Sequence, residues 1–110
     1  MKLLPLDNDF LARFTLTDED TDAAPSPAIT GLKCRIAATR DGAAINATLD
    51  IDMTDTDADG ITKGTLQGDE LTTHLETSYK GRRVFAILYK AGGDVKAFVE
   101  LMVVETRAAA

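Results

Sequence analysis

Residues 46–54 read NATLDIDMT, and with Ile45 in front they give ten residues of unbroken alternation. Ile45, Ala47, Leu49, Ile51 and Met53 are apolar, while Asn46, Thr48, Asp50, Asp52 and Thr54 are polar. A period of two belongs to a strand with one dry face and one wet face. The expectation is one strand over 45–54, with the rest of the chain covering its dry side.

Upstream, Leu32 to Thr39 alternates again, with Leu32, Cys34, Ile36 and Ala38 facing in. Asp41-Gly42 stands between the two runs, and this dipeptide is a strong hairpin signal, so the two strands should pair antiparallel. Asp9 to Thr17 alternates with Phe10, Ala12, Phe14 and Leu16 on one face. The segment 18–27 holds four acids, two prolines and no large apolar residue, so it reads as a loop. Met1 to Leu6 is an apolar lead whose Pro5 suits an edge strand or an arm, not a central strand.

Downstream, Asp55 to Gly60 reads as a tight acidic turn and 61–67 as a strand interrupted by Gly64. Asp69 is placed to cap a short helix at about 69–77, with Leu71 and Leu75 four apart on one face. Arg82 to Lys90 is apolar on both faces and rich in β-formers, which places it centrally. Ala91-Gly92-Gly93-Asp94 reads as a second hairpin turn. Val95 to Glu105 follows, with Val95, Ala97, Val99, Leu101 and Val103 inward. Phe98, Met102 and Val104 then fall on the opposite face, apolar surface that the helix or a partner protein must cover. Residues 106–110 read as a frayed tail.

With no βαβ spacing, the chain reads as all-β: a six- to seven-stranded antiparallel β-sandwich, immunoglobulin-like or Greek-key, with one short helix. A closed barrel is the second choice. The 110 residues suit a single domain over 1–110. The lone Cys34 allows no internal disulfide and suits a reducing cytoplasm, or a particle assembled in one. No signal peptide and no run of membrane-spanning length is legible. The net charge of −6 makes nucleic acid a poor partner. It is uneven: residues 1–62 carry five Lys or Arg against twelve Asp or Glu, and 63–110 carry seven against six.

Asp55, Asp57 and Asp59 with Gly60 read D-x-D-x-D-G, the opening half of a calcium loop. The twelfth position is Leu66, where that loop needs a bidentate glutamate, so a solvated turn is the first reading and a weak calcium site the second. No other cofactor is implied. His74 is the only histidine and has no paired nucleophile, Cys34 faces the core, and no nucleophile, phosphate-loop or zinc motif occurs. The chain reads as no enzyme. Lys80, Arg82 and Arg83 form a basic cluster before the central strand. They either guard the strand entry or meet an acidic patch on a neighbouring copy. The interface candidates are Lys80, Arg82, Arg83, Phe98 and Met102.

In layout the chain resembles small virion proteins of tailed bacteriophages. A phenylalanine-bearing first strand in DFLARFTLTDED leads to a Pro-rich acidic loop. GLKCRIAATRDG, the long alternating strand, GTLQGDELTTHL and two closing strands joined by AGGD follow. The order is similar to the N-terminal β-sandwich of phage baseplate upper proteins and to short head or tail proteins. The resemblance implies a β-sandwich that assembles in multiple copies on a virion, made in the bacterial cytoplasm, with other virion proteins as partners. It brings no catalytic residues. Because no receptor-binding module follows, it favours a connector, head–tail joining or decoration role. The alternative function is a carbohydrate- or calcium-binding sandwich module.

Overall fold

The computed structural model describes residues 2–18, 20–90 and 96–104, with backbone alone at 96–98. The elements are β1 (Lys2–Leu4), β2 (Phe10–Thr15), β3 (Leu32–Ala37), β4 (Asp50–Asp52), β5 (Ile61–Leu66), α1 (Gly68–Leu75), β6 (Arg83–Lys90) and β7 (Lys96–Val104). The described residues are mostly strands in two sheets, with one α-helix and one 3-10 turn. The larger sheet has the order β1-β7-β6-β3-β4, and β2 and β5 form the smaller.

The doubly apolar β6 is central, hydrogen-bonded on both sides to β3 and β7. Its register sets Leu88 against Cys34, Ala86 against Ile36 and Val84 against Met102. Those side chains point inward and join Ala12, Phe14 and Leu66 of the smaller sheet in one hydrophobic core cluster. The pairing of β1 with β7 is parallel, with Leu4 opposite Val104, so the larger sheet is mixed and not antiparallel throughout. The hairpin turn expected at 91–94 and the tail at 106–110 lie outside the described residues, but β6 and β7 are antiparallel as expected.

The strand expected over 45–54 shrinks to Asp50–Asp52. Residues Ala47–Leu49 form a 3-10 turn, and the Asn46 side chain accepts hydrogen bonds from the Thr48 amide at 3.1 Å and hydroxyl at 2.9 Å. A short polar side chain offers the backbone an alternative to a strand ladder, and here it wins. Leu49 is nevertheless fully buried and Met53 nearly so, with Ile45 and Ile51 packed against the core, while Ala47 is exposed in the turn. The pairing of β3 with β4 is antiparallel, as the Asp-Gly signal predicts.

The helix starts at Gly68, and Asp69 does not cap it. Its first amide donates instead to Asp9 just before β2, at 2.8 Å. Gly68 is required by proximity, because a Cβ there would sit 2.6 Å from the Asn8 backbone carbon. Leu71 and Leu75 are fully buried, so the apolar face of α1 caps the core.

The faces of β7 are the reverse of the expectation. Met102 and Val104 are fully buried inward, and Val99, Leu101 and Val103 share the outer face with Phe85 and Ile87. With both rows apolar, alternation names two faces but not which is inside; pairing with Val84 and Leu4 decides it.

Candidate functional site

The outer face of the larger sheet takes every second residue of its strands. From β3 and β4 come Lys33, Arg35, Ala37, Asp50 and Asp52; from β6, Arg83, Phe85, Ile87 and Tyr89; from β7 and β1, Val99, Leu101, Val103 and Leu3. The face divides into a polar third and an apolar remainder.

The polar third is a closed network. The Tyr89 hydroxyl lies 2.6 and 2.7 Å from the two carboxylate oxygens of Asp50. Partial burial and the Asp50 carboxylate push the Tyr89 phenol up to about 12. The Arg35 guanidinium lies 4.5 Å from the centre of the Tyr89 ring, and its Nε donates to the Gly42 carbonyl at 2.9 Å. Lys33 Nζ sits 3.9 Å from Asp50 and 3.7 Å from Asp52. Two cations, two carboxylates and one phenol therefore satisfy one another at the sheet surface, a network that the sequence reading missed. Its signal is visible once the register is known: the row Asp52–Lys33–Tyr89 across three neighbouring strands is polar throughout.

The apolar remainder consists of Leu3, Phe85, Ile87, Val99, Leu101 and Val103. Leu3 is 59% exposed, Phe85, Val99, Leu101 and Val103 are half-buried, and Ile87 is closed off beneath its neighbours. Helix α1 packs its leucines on the other side, in the core cluster. Arg40 lies 5.7 Å from the Phe85 ring, and exposed Arg83 stands beside Val103 at the end of the strands. Leu3, Phe85, Val99, Leu101 and Val103 lie on three adjacent strands about 4.8 Å apart, so they form one contiguous apolar patch.

Arg83 of the expected basic cluster therefore borders this patch, and Lys80 and Arg82 are exposed in the turn leading to it. Met102, expected at an interface, is fully buried in the core, and that burial removes it from any exposed face. The side chain of Phe98 lies outside the described residues.

The acidic turn has its own internal logic. One Asp57 carboxylate oxygen accepts the amides of Asp59 at 2.8 Å and Ile61 at 3.0 Å. Those two bonds hold the Asp57 carboxyl below its ordinary range. Asp55 and Asp59 are exposed on either side. Among the described residues no group of three or more His, Cys, Asp or Glu is close enough to hold a metal ion.

His74 meets Glu70 one helical turn away at 3.2 Å. Cys34 is fully buried; desolvation first, then the charges of Asp50 and Glu100, pushes its thiol up to about 12. Among the described residues no helix is long and apolar enough to cross a membrane.

No protein-family model, no curated protein and no solved structure matches the chain.

Proposed function

We propose that this chain is a non-catalytic structural protein of a tailed phage particle, with a connector, head–tail joining or decoration role, docking onto other virion proteins in multiple copies. The observation that carries the docking part is the half-exposed apolar face of β1, β7 and β6 with Arg40 and Arg83 at its border. An apolar patch with an arginine rim suits protein contact, because arginine tolerates partial desolvation at interfaces better than lysine does.

The phage assignment rests on the layout of segments set out above. The sandwich reading draws support from the single core shared by both sheets. The non-catalytic reading is supported by Cys34, whose raised pKa leaves negligible thiolate at neutral pH, and by His74, held at the helix surface by Glu70.

Mass spectrometry of purified particles tests the assignment. The expected result is this chain at a fixed copy ratio to other virion proteins; particles that lack it overturn the reading.

A further inference from the structure

We infer that the arginine-bordered apolar face of one copy receives the acidic turns of a second copy of the same chain, so that copies join head to tail. The inference deepens the docking reading above and rests on it.

Charge selects the occupant. Among the described side chains, the outer face and its border carry Lys33, Arg35, Arg40 and Arg83 against Asp41, Asp50 and Asp52, a balance of +1 whose outward part is the border arginines, whereas the whole chain carries −6. It is a locally cationic face on an acidic protein. Two such faces pressed together by a two-fold axis would oppose like charges; an acidic surface of another copy is attracted. A polyanion such as single-stranded nucleic acid fits less well. Lys33 and Arg35 are already engaged with Asp50, Asp52 and Gly42, and the remaining surface repels phosphate.

Position selects the surface of that second copy. Two acidic turns, around Asp18 to Asp22 and Asp55 to Asp59, lie side by side. The Leu16 amide donates to the Gly60 carbonyl at 2.8 Å, and a Cβ at Gly60 would touch Pro25 at 3.4 Å. Asp20, Asp22, Asp55, Asp57 and Asp59 are exposed there, together with Ala23, Pro27 and Ala28, so carboxylates alternate with small apolar groups.

The same turns are tied to the start of β3. Thr56 donates to Ile29 and Met53 to Leu32, and Leu32 lies opposite Lys90 at the end of β6. Arg83 is at the other end of β6, seven residues and about 23 Å away at about 3.3 Å per residue. A chain cannot lay these turns on its own arginine border, so the contact is intermolecular. Because it joins two different surfaces, it closes into a ring or extends as a filament.

The test uses the full chain and two double variants, Arg40→Glu with Arg83→Glu, and Asp20→Lys with Asp55→Lys, all at exposed positions. Light scattering over a concentration series at low salt should show the parent above its monomer mass. Each double variant alone should self-associate at least tenfold more weakly, with unchanged circular dichroism. An equimolar mixture of the two should associate again, through the one intact surface that each variant keeps and through the two altered surfaces, whose charges are exchanged and so still complementary. Leu3→Asp should weaken association in the same way. A parent that stays monomeric overturns the inference. So does an oligomer that both double variants leave intact, or one that mixing fails to restore, and so does tighter binding of a single-stranded oligonucleotide than of a second copy. The docking reading survives each of these if the chain is present in particles, and fails separately if it is not.

Discussion

The Tyr89 hydroxyl sits between both carboxylate oxygens of Asp50, 2.6 and 2.7 Å from them, and so fastens the edge strand β4 to the central strand β6 across β3. Tyr89→Phe keeps the ring beneath Arg35 and removes the hydroxyl's bonds to Asp50 and Arg35. A hydrogen bond to a charged group is worth about 1.5–3 kcal/mol, and half-exposure reduces that to about 1 kcal/mol here. Thermal unfolding should fall by about 5 °C.

The same phenol gives an alkaline signature. Its folded pKa is raised from 10.0 to about 12, so its stabilisation is complete below pH 10 and disappears as pH rises through about 12. Absorbance titration at the phenolate band should show a late-titrating tyrosine that is missing in Tyr89→Phe. If the phenol of Tyr89 titrates near 10, the tie to Asp50 is absent in solution.

Asn46→Ala removes the side chain that organises the 3-10 turn ahead of β4. The expected cost is about 1 kcal/mol, with Asn46→Asp close to neutral, since aspartate accepts the same bonds. Urea unfolding should report a lower midpoint at unchanged slope. Equal losses in both variants would deny the cap its role.

Gly64 lies on β5 where the chain leaving β4 passes closest. A Cβ there would stand 2.7 Å from the Met53 sulfur and 2.9 Å from the Asp52 carbonyl oxygen. The sulfur is the mobile end of a flexible side chain and the carbonyl is not. Gly64→Ala should therefore destabilise by about 1–3 kcal/mol, and adding Met53→Ala should not rescue it. Rescue by the second substitution would show that the backbone contact yields.

Asp9→Ala strips the N-terminus of α1 of its carboxylate acceptor. A loss of about 1 kcal/mol is expected, concentrated in the helix. Amide exchange should accelerate at Leu71 and Thr72 before it does at Cys34 or Leu88 in the large sheet. Uniform acceleration would mean that helix and sheet open together.

The strands at 9–17 and 32–39 were legible because each carries its burial in local order, and 82–90 because β-formers fill both of its faces. Ala12 and Phe14 are buried where alternation puts them, and so are Leu32, Cys34 and Ile36. The 45–54 stretch misled for a reason within itself: alternation is blind to a side chain such as Asn46 that bonds its own backbone two residues on. For β7 the failure lay in ambiguity, since Val99, Leu101 and Val103 are as apolar as Met102 and Val104.

The parallel pairing of Leu4 with Val104 left no local mark, because neither segment holds information about the other. The docking surface followed the same division. Excess apolar surface on the last strands was readable, but which row stayed outside depended on that distant pairing. The Tyr89–Asp50 network depended on register across three strands and had no signature in any one of them.

That distant pairing also orders events in time. Lys2 lies opposite Met102, so β1 finds its neighbour only after 100 further residues have been made. Until then its backbone amides and carbonyls have no sheet to join, and Leu4 has no Val104 to pack beside. Closing so long a loop costs entropy that only completed neighbours offset, so β1 should be a latecomer to the fold although it precedes the other described strands. A nascent chain stalled before residue 100 should thus be cleavable at β1, and emergence of β7 should be the moment at which protease no longer reaches it.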